Sequence, residues 1–242
     1  MRASTSRHGL ARVLSKRGVC SRSEAERLIR AGRVRLDGSV VLNPEHPADL
    51  QRAVIVIDDA AIADAPSLFL MLNKPRGLVT TTADEQGRDT VYRCFDGSGL
   101  GWIAPVGRLD KASEGLLLFS NDPQWAAGIT NPEHGLDKTY HVQVDCVPGA
   151  DILRRLESGI DLGGEVLRVK SAALLRAGEK HAWLQVVLEE GRNRQIRRLL
   201  SACDIVVLRL LRVAIGTLAL GELPKGQWRM LTPEEAAAAG GD

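Results

Sequence analysis

Cysteine is sparse in this chain: four residues in 242, with no two in a CxxC pair. Structural zinc sites draw on closely spaced ligand pairs, so Cys20, Cys94, Cys146 and Cys203 read as ordinary reduced residues and no metal site is expected. The five histidines do not cluster either. No apolar run approaches the roughly 20 residues that span a bilayer. The basic residues 1–8 are not followed by the apolar core of a signal peptide. No membrane partner is expected, and the cytoplasm is the expected location. Aromatic residues make up only 4%, which argues against a carbohydrate cleft walled by stacked rings.

What is present is a folded-protein composition, 44% hydrophobic and 26% charged. The formal net charge of +2 conceals an asymmetry. Residues 1–40 hold ten Lys/Arg (Arg2, Arg7, Arg12, Lys16, Arg17, Arg22, Arg27, Arg30, Arg33 and Arg35) against Glu24, Glu26 and Asp37. That segment stands at +7 and the remainder at −5. A basic module on a mildly acidic body points to a polyanionic partner.

The basic segment is patterned. Leu10, Val13 and Leu14 repeat at helical spacing before Gly18. Ser21 and Glu24 form an S-x-x-E capping box that starts a second helix, with Ala25, Leu28 and Ile29 as its buried stripe and Gly32 as its stop. Val34 and Leu36, the turn Asp37-Gly38, then Val40 and Leu42 read as a tight hairpin. Arginines left outside two packed helices suit phosphates. The run from Ser21 to Ile29, followed by Ala31 to Gly38, resembles the S4 RNA-binding module. The resemblance implies that Arg12, Arg22, Arg27 and Arg33 meet RNA.

Pro44, Pro47 and Pro66 punctuate the next stretch around a strand-like 54–57. The expected organisation is a module at 1–58, an alanine-rich linker at 59–66 and a second domain at 67–242. Strands are expected at 68–72, 102–106, 115–120, 139–144, 167–175, 182–188 and 206–211. Helices are expected from Asp122-Pro123 to before Pro132, at about 149–158, after Gly191, and from Thr232. Strands outnumber helices without strict alternation. The expected class is therefore α+β: a small S4-like α/β module, then a mixed, mostly antiparallel sheet with flanking helices.

Val106 to Asp122 is the most informative stretch. It sets Arg108-Leu109-Asp110 in a loop between two apolar strands, with Gly107 and Gly115 at its ends. A carboxylate held there by a rigid scaffold suits a nucleophile or a base, although a loop aspartate taken alone reads as a turn former. The stretch closely resembles the G-R-L-D loop of pseudouridine synthases, in the branch that modifies ribosomal RNA. Three further segments, Leu72 to Gly77, Lys138-Thr139-Tyr140 and Glu190 to Arg198, resemble the same family in the same order. One departure is Pro123, where relatives tend to carry glycine.

The resemblance implies catalytic roles for Asp110, Tyr140 and Arg197. Asp110 acts at the ribose C1′, Tyr140 packs against the target base, and Arg197 pairs with the carboxylate. Arg108 matches an arginine that displaces the target nucleotide, and Arg194 and Arg198 are expected to meet RNA. Isomerising uridine involves no redox change and no external group, so no cofactor is expected. The expected partner is ribosomal RNA or a pre-ribosomal particle, acted on by a monomer. Glu190 to Arg194 leans towards 23S rather than 16S rRNA. Two rivals are a glycoside hydrolase, which needs a carboxylate pair and finds at best Asp110 and Glu114, and a non-catalytic S4-type ribosome-assembly protein, which has no use for Asp110.

Overall fold

The computed structural model describes residues 7–62, 65–81, 84, 86–131 and 135–240. The first elements are β1 (Arg7–Gly9), α1 (Leu10–Lys16), α2 (Arg22–Arg30), β2 (Val34–Leu36), β3 (Ser39–Val40), β4 (Pro47–Asp49), β5 (Ile55–Ile57) and β6 (Ala60–Ala61). Ser21 caps α2 by accepting a hydrogen bond from the Glu24 amide at 3.1 Å. The capping box is only half closed, because the Glu24 carboxylate turns to Arg27 instead. Asp37 and Gly38 both adopt positive φ (49° and 87°), the geometry of a hairpin turn that matches strand twist.

The hairpin is shorter than its sequence suggests. β3 ends at Val40, and Leu42 is 61% exposed. β2 takes its second partner from β5, giving the order β3-β2-β5-β6. Leu10, Leu14, Ala25, Ile29, Val34 and Ile55 form a core that belongs to this module alone. β6 and the packed Ile62 carry the module a few residues past position 58. Ala63 and Asp64 of the expected linker, and the expected helix stop Pro132, lie outside the described residues.

The second part contains β7 (Phe69–Lys74), a 3-10 turn (Val91–Phe95), β8 (Ala104–Val106), β9 (Glu114–Ser120), α3 (Pro123–Thr130), β10 (Lys138–Val144) and α4 (Ala150–Ser158). These are followed by β11 (Ile160–Asp161), β12 (Val166–Leu167), β13 (Ser171–Ala177), β14 (Ala182–Leu188), α5 (Gln195–Ser201), β15 (Val207–Ile215), β16 (Leu218–Ala219), β17 (Trp228–Met230) and α6 (Pro233–Gly240). The main sheet runs β13-β14-β10-β15-β9-β7-β17, with β8 on β9 and β16 on β15. Among the described strands only β9 and β15 pair in parallel. The expected strand at 167–175 is two strands, because β12 pairs with β11 and only β13 joins the main sheet.

The apolar pattern follows from what covers each strand. Along β9, Leu117 and Phe119 face one core with Leu156, Leu199 and Leu200 from α4 and α5. Leu116 and Leu118 face another with Ile129 of α3 and Ala236 of α6. With both faces covered, β7 and β9 read as unbroken apolar runs. β10 and β14 instead alternate buried and half-buried residues. Among the described residues no helix is long and apolar enough to cross a membrane.

Candidate active site

The pairs Ala104↔Ser120 and Val106↔Leu118 make β8 and β9 a hairpin, whose connecting loop carries Arg108 and Asp110. Gly107 opens the loop at φ 74°. Leu109 between them is buried and roots the loop in the core, while Thr80 donates its hydroxyl hydrogen to the Leu109 carbonyl at 2.8 Å. Beneath the loop Lys74 is fully buried. Its ammonium donates to the carbonyls of Pro75 (3.1 Å), Asp110 (3.3 Å) and Ser113 (2.9 Å). Burial lowers its pKa to about 8, against opposing pulls from Cys94, Glu114 and Asp110.

The far end of the loop is set by contact with β15. Gly115 has φ 99°, and a Cβ there would stand 2.2 Å from the Arg212 carbonyl oxygen. Only glycine admits that approach. Arg212 is opposite Tyr140 of β10. Both are mostly buried, and Arg212 donates through Nε to the Leu116 carbonyl at 2.8 Å.

A third wall comes from the segment entering α5. Gln195 is buried and laces this segment together: its amide donates to the Arg168 carbonyl and to Glu190, and its oxygen accepts from the Arg192 amide. Arg194 adopts a left-handed conformation, φ 50° and ψ 31°. Its guanidinium reaches Asp110 at 3.9 Å. Arg197, the residue expected to pair with the carboxylate, lies close enough to feel its charge but makes no direct ion pair with it among the described residues. Arg197 donates to the carbonyls of Ala112 (3.2 Å) and Val207 (3.3 Å), clamping the loop to β15. Burial lowers its pKa, as does Arg194, while Asp110 opposes the shift. Arg198, expected to meet RNA, is paired with Glu165 at 2.6 Å, and Arg192 shares the same carboxylate.

Together these elements enclose a cleft of about 500 Å³ lined by Arg108, Asp110, Lys138, Tyr140, Arg194 and Arg212, among others. Asp110 is the only carboxylate among its described lining residues. Glu114, which a glycosidase reading would enlist, is buried elsewhere and held by Arg209 and Lys225. Burial pushes its pKa up, but those two cations outweigh it and hold the carboxyl at about 2. Among the described residues this cleft therefore holds no carboxylate pair to flank a bond.

Lys74, Arg212 and Gln195 carry structural weight that sequence reasoning did not assign. The signals were a lysine ending an apolar strand and an arginine recurring in the apolar run 207–215. In the N-terminal module, Arg22 pairs with Glu26 and Glu45, Arg27 with Glu24, and Arg33 with Asp58. Glu45 and Asp58 lie outside the first 40 residues, so the +7 count overstated the free charge. Arg12 is exposed and has no ion pair among the described residues. Exposed pairs of this kind are worth about 0–1 kcal/mol, so a phosphate can displace the acid.

The comparisons with known proteins agree with this layout. The S4 domain model matches residues 9–51, and the RNA pseudouridylate synthase model matches residues 68–202. The chain is 37% identical over 229 residues to an uncharacterized RNA pseudouridine synthase of Mycobacterium tuberculosis (strain H37Rv), covering 93% of this chain and 90% of that one. It is 35% identical over 230 residues to the ribosomal large subunit pseudouridine synthase B of Bacillus subtilis (strain 168), covering 93% of each. A crystal structure of a pseudouridylate synthase superposes with TM-score 0.67 at 30% identity, over 96% of this chain and 99% of that one. With an S4 domain in front of an intact synthase fold, the chain belongs to the RNA pseudouridylate synthase family.

Proposed function

We propose that this protein converts specific uridines of ribosomal RNA to pseudouridine, with Asp110 as the group that acts at the ribose C1′. The observation that carries the proposal is a single carboxylate, among the described lining residues, in a nucleotide-sized cleft that also holds Arg108, Lys138, Arg192, Arg194 and Arg212. The reaction breaks the N1–C1′ bond, turns the base and joins C5 to C1′, and the proton lost from C5 is balanced by one gained at N1. Asp110 serves either by adding to the sugar or by taking a proton from it, and both routes require it ionised. Arg194, 3.9 Å away, sets a positive charge beside that carboxylate.

Tyr140 offers its ring to the turned base, and its hydroxyl has no hydrogen bond among the described residues. Arg108 is exposed on the loop, suited to the space vacated when the target leaves its stack, a step that costs a few kcal/mol. Arg12, Arg22, Arg27 and Arg33 of the leading module supply phosphate contacts. The likeness to the large-subunit enzyme of Bacillus subtilis favours 23S over 16S rRNA as the target.

The test is Asp110→Asn. This variant keeps the shape but has no nucleophile or base, so pseudouridine formation stops while RNA affinity stays within a few-fold of wild type. Turnover by a clean preparation overturns the assignment. Site-by-site mapping of pseudouridine in rRNA from a deletion strain identifies the target.

A further inference from the structure

A second groove, of about 360 Å³, adjoins the cleft. It shares Val106, Gly107 and Thr130 with the cleft, so the two spaces meet at the base of the Asp110 loop. The groove is lined by Trp102, Pro105, Ala126 and Ala127, and on the side of the leading module by Ser15 of α1. Trp102 is half-buried yet packs into none of the hydrophobic cores. Ile103 is buried, and its carbonyl accepts the Tyr92 hydroxyl at 2.9 Å, whereas Trp102 beside it lines the groove.

We infer that Trp102 forms a stacking platform for a nucleotide flanking the target uridine, on a strand path leading from the Asp110 cleft to α1 of the S4 domain. The occupant is single-stranded RNA, for two reasons. The groove continues the space proposed for the target base, and exposed arginines neighbour two of its lining residues, Gly107 and Ser15. Arg108 follows Gly107 on the loop. Arg12 is one turn from Ser15 on α1, on the same side of that helix. The single carboxylate among the groove's described residues, Asp122, is occupied as the cap of α3, accepting from the amides of Gln124 and Trp125. A flat apolar indole in such a groove suits stacking against a base and imposes little sequence preference.

This inference rests on the cleft being the uridine site, and the experiment separates the two. Binding of a five-nucleotide oligouridylate and of uridine monophosphate is measured for wild type, Trp102→Ala and Trp102→Phe. Loss of one stacked base weakens oligonucleotide binding about 5- to 150-fold. The expected result is that loss in Trp102→Ala, recovery to within a few-fold in Trp102→Phe, and unchanged binding of the mononucleotide. Wild-type oligonucleotide binding by Trp102→Ala overturns the inference, and so does a Trp102→Phe variant as weak as Trp102→Ala. Turnover by Asp110→Asn overturns only the proposed chemistry, because oligonucleotide binding does not depend on it.

Discussion

The Lys74 ammonium lies 3.3 Å from the carbonyl oxygen of Asp110, so a fully buried cation holds the backbone of the residue whose carboxylate lines the cleft. Replacing Lys74 by Met leaves three carbonyls without that donor and frees the loop. Catalytic turnover of Lys74→Met should fall at least about tenfold, the equivalent of 1.4 kcal/mol. The pH dependence has a defined sign. The folded-state pKa of about 8 lies below the ordinary 10.5, so between those values the unfolded chain binds more protons. Wild type should therefore gain stability relative to Lys74→Met as pH rises from 8 to 10, by up to about 1.4 kcal/mol per pH unit. Urea unfolding of both proteins across that range measures it, and a flat difference would refute it.

Gly115→Ala should destabilise by at least about 3 kcal/mol. The new Cβ would meet backbone rather than a side chain that can move away, at a φ that alanine rarely adopts. Loss of soluble protein or a large drop in unfolding midpoint is the expected reading.

Glu114→Gln breaks a buried cluster with two cations and should cost about 3–5 kcal/mol. The carboxyl is held at about 2, below its ordinary 4.5. Its contribution is therefore fully present above pH 4.5 and is lost as pH falls towards 2. Acid unfolding of the variant should be shallower than wild type over that window.

Arg194 and Arg197 should separate in their effects. Arg194→Gln removes an exposed guanidinium at 3.9 Å from Asp110 and should lower kcat/KM roughly 5- to 10-fold with little change in melting temperature. Arg197→Gln removes the clamp between the loop and β15, so melting temperature and turnover should fall together. A variant pair with identical profiles would mean that both residues act by the same route.

Arg12→Ala should reduce the slope of log affinity against log salt by roughly 0.7–0.9, the value of one lost phosphate contact. Titration of an rRNA fragment at several salt concentrations reads it, and an unchanged slope removes Arg12 from the interface.

Much of this was legible because the chemistry was local. Ser21 capped its helix, Asp37-Gly38 turned its hairpin, and the apolar runs around Asp110 became a strand pair with that residue between them. What stayed hidden depends on residues far apart in the chain. The acids that neutralise Arg22 and Arg33 come from Glu45 and Asp58. The ion pair of Arg194 with Asp110 is made from a left-handed residue just before α5, which no periodicity announces. Trp102 stood in a stretch read simply as a strand, and only the packing reveals that its ring lies outside the core.

The parallel pairing of β9 with β15 has a consequence for the order of assembly. Glu114 and Gly115 must find Leu211 and Arg212, which leave the ribosome nearly a hundred residues later. The leading module closes its core within the first 62 residues and can form as soon as it emerges. The Asp110 loop, by contrast, gains its second wall only when the C-terminal quarter of the chain has been made. Contacts of such sequence separation form slowly. A newly made chain should thus hold an RNA-binding module before it holds a working cleft.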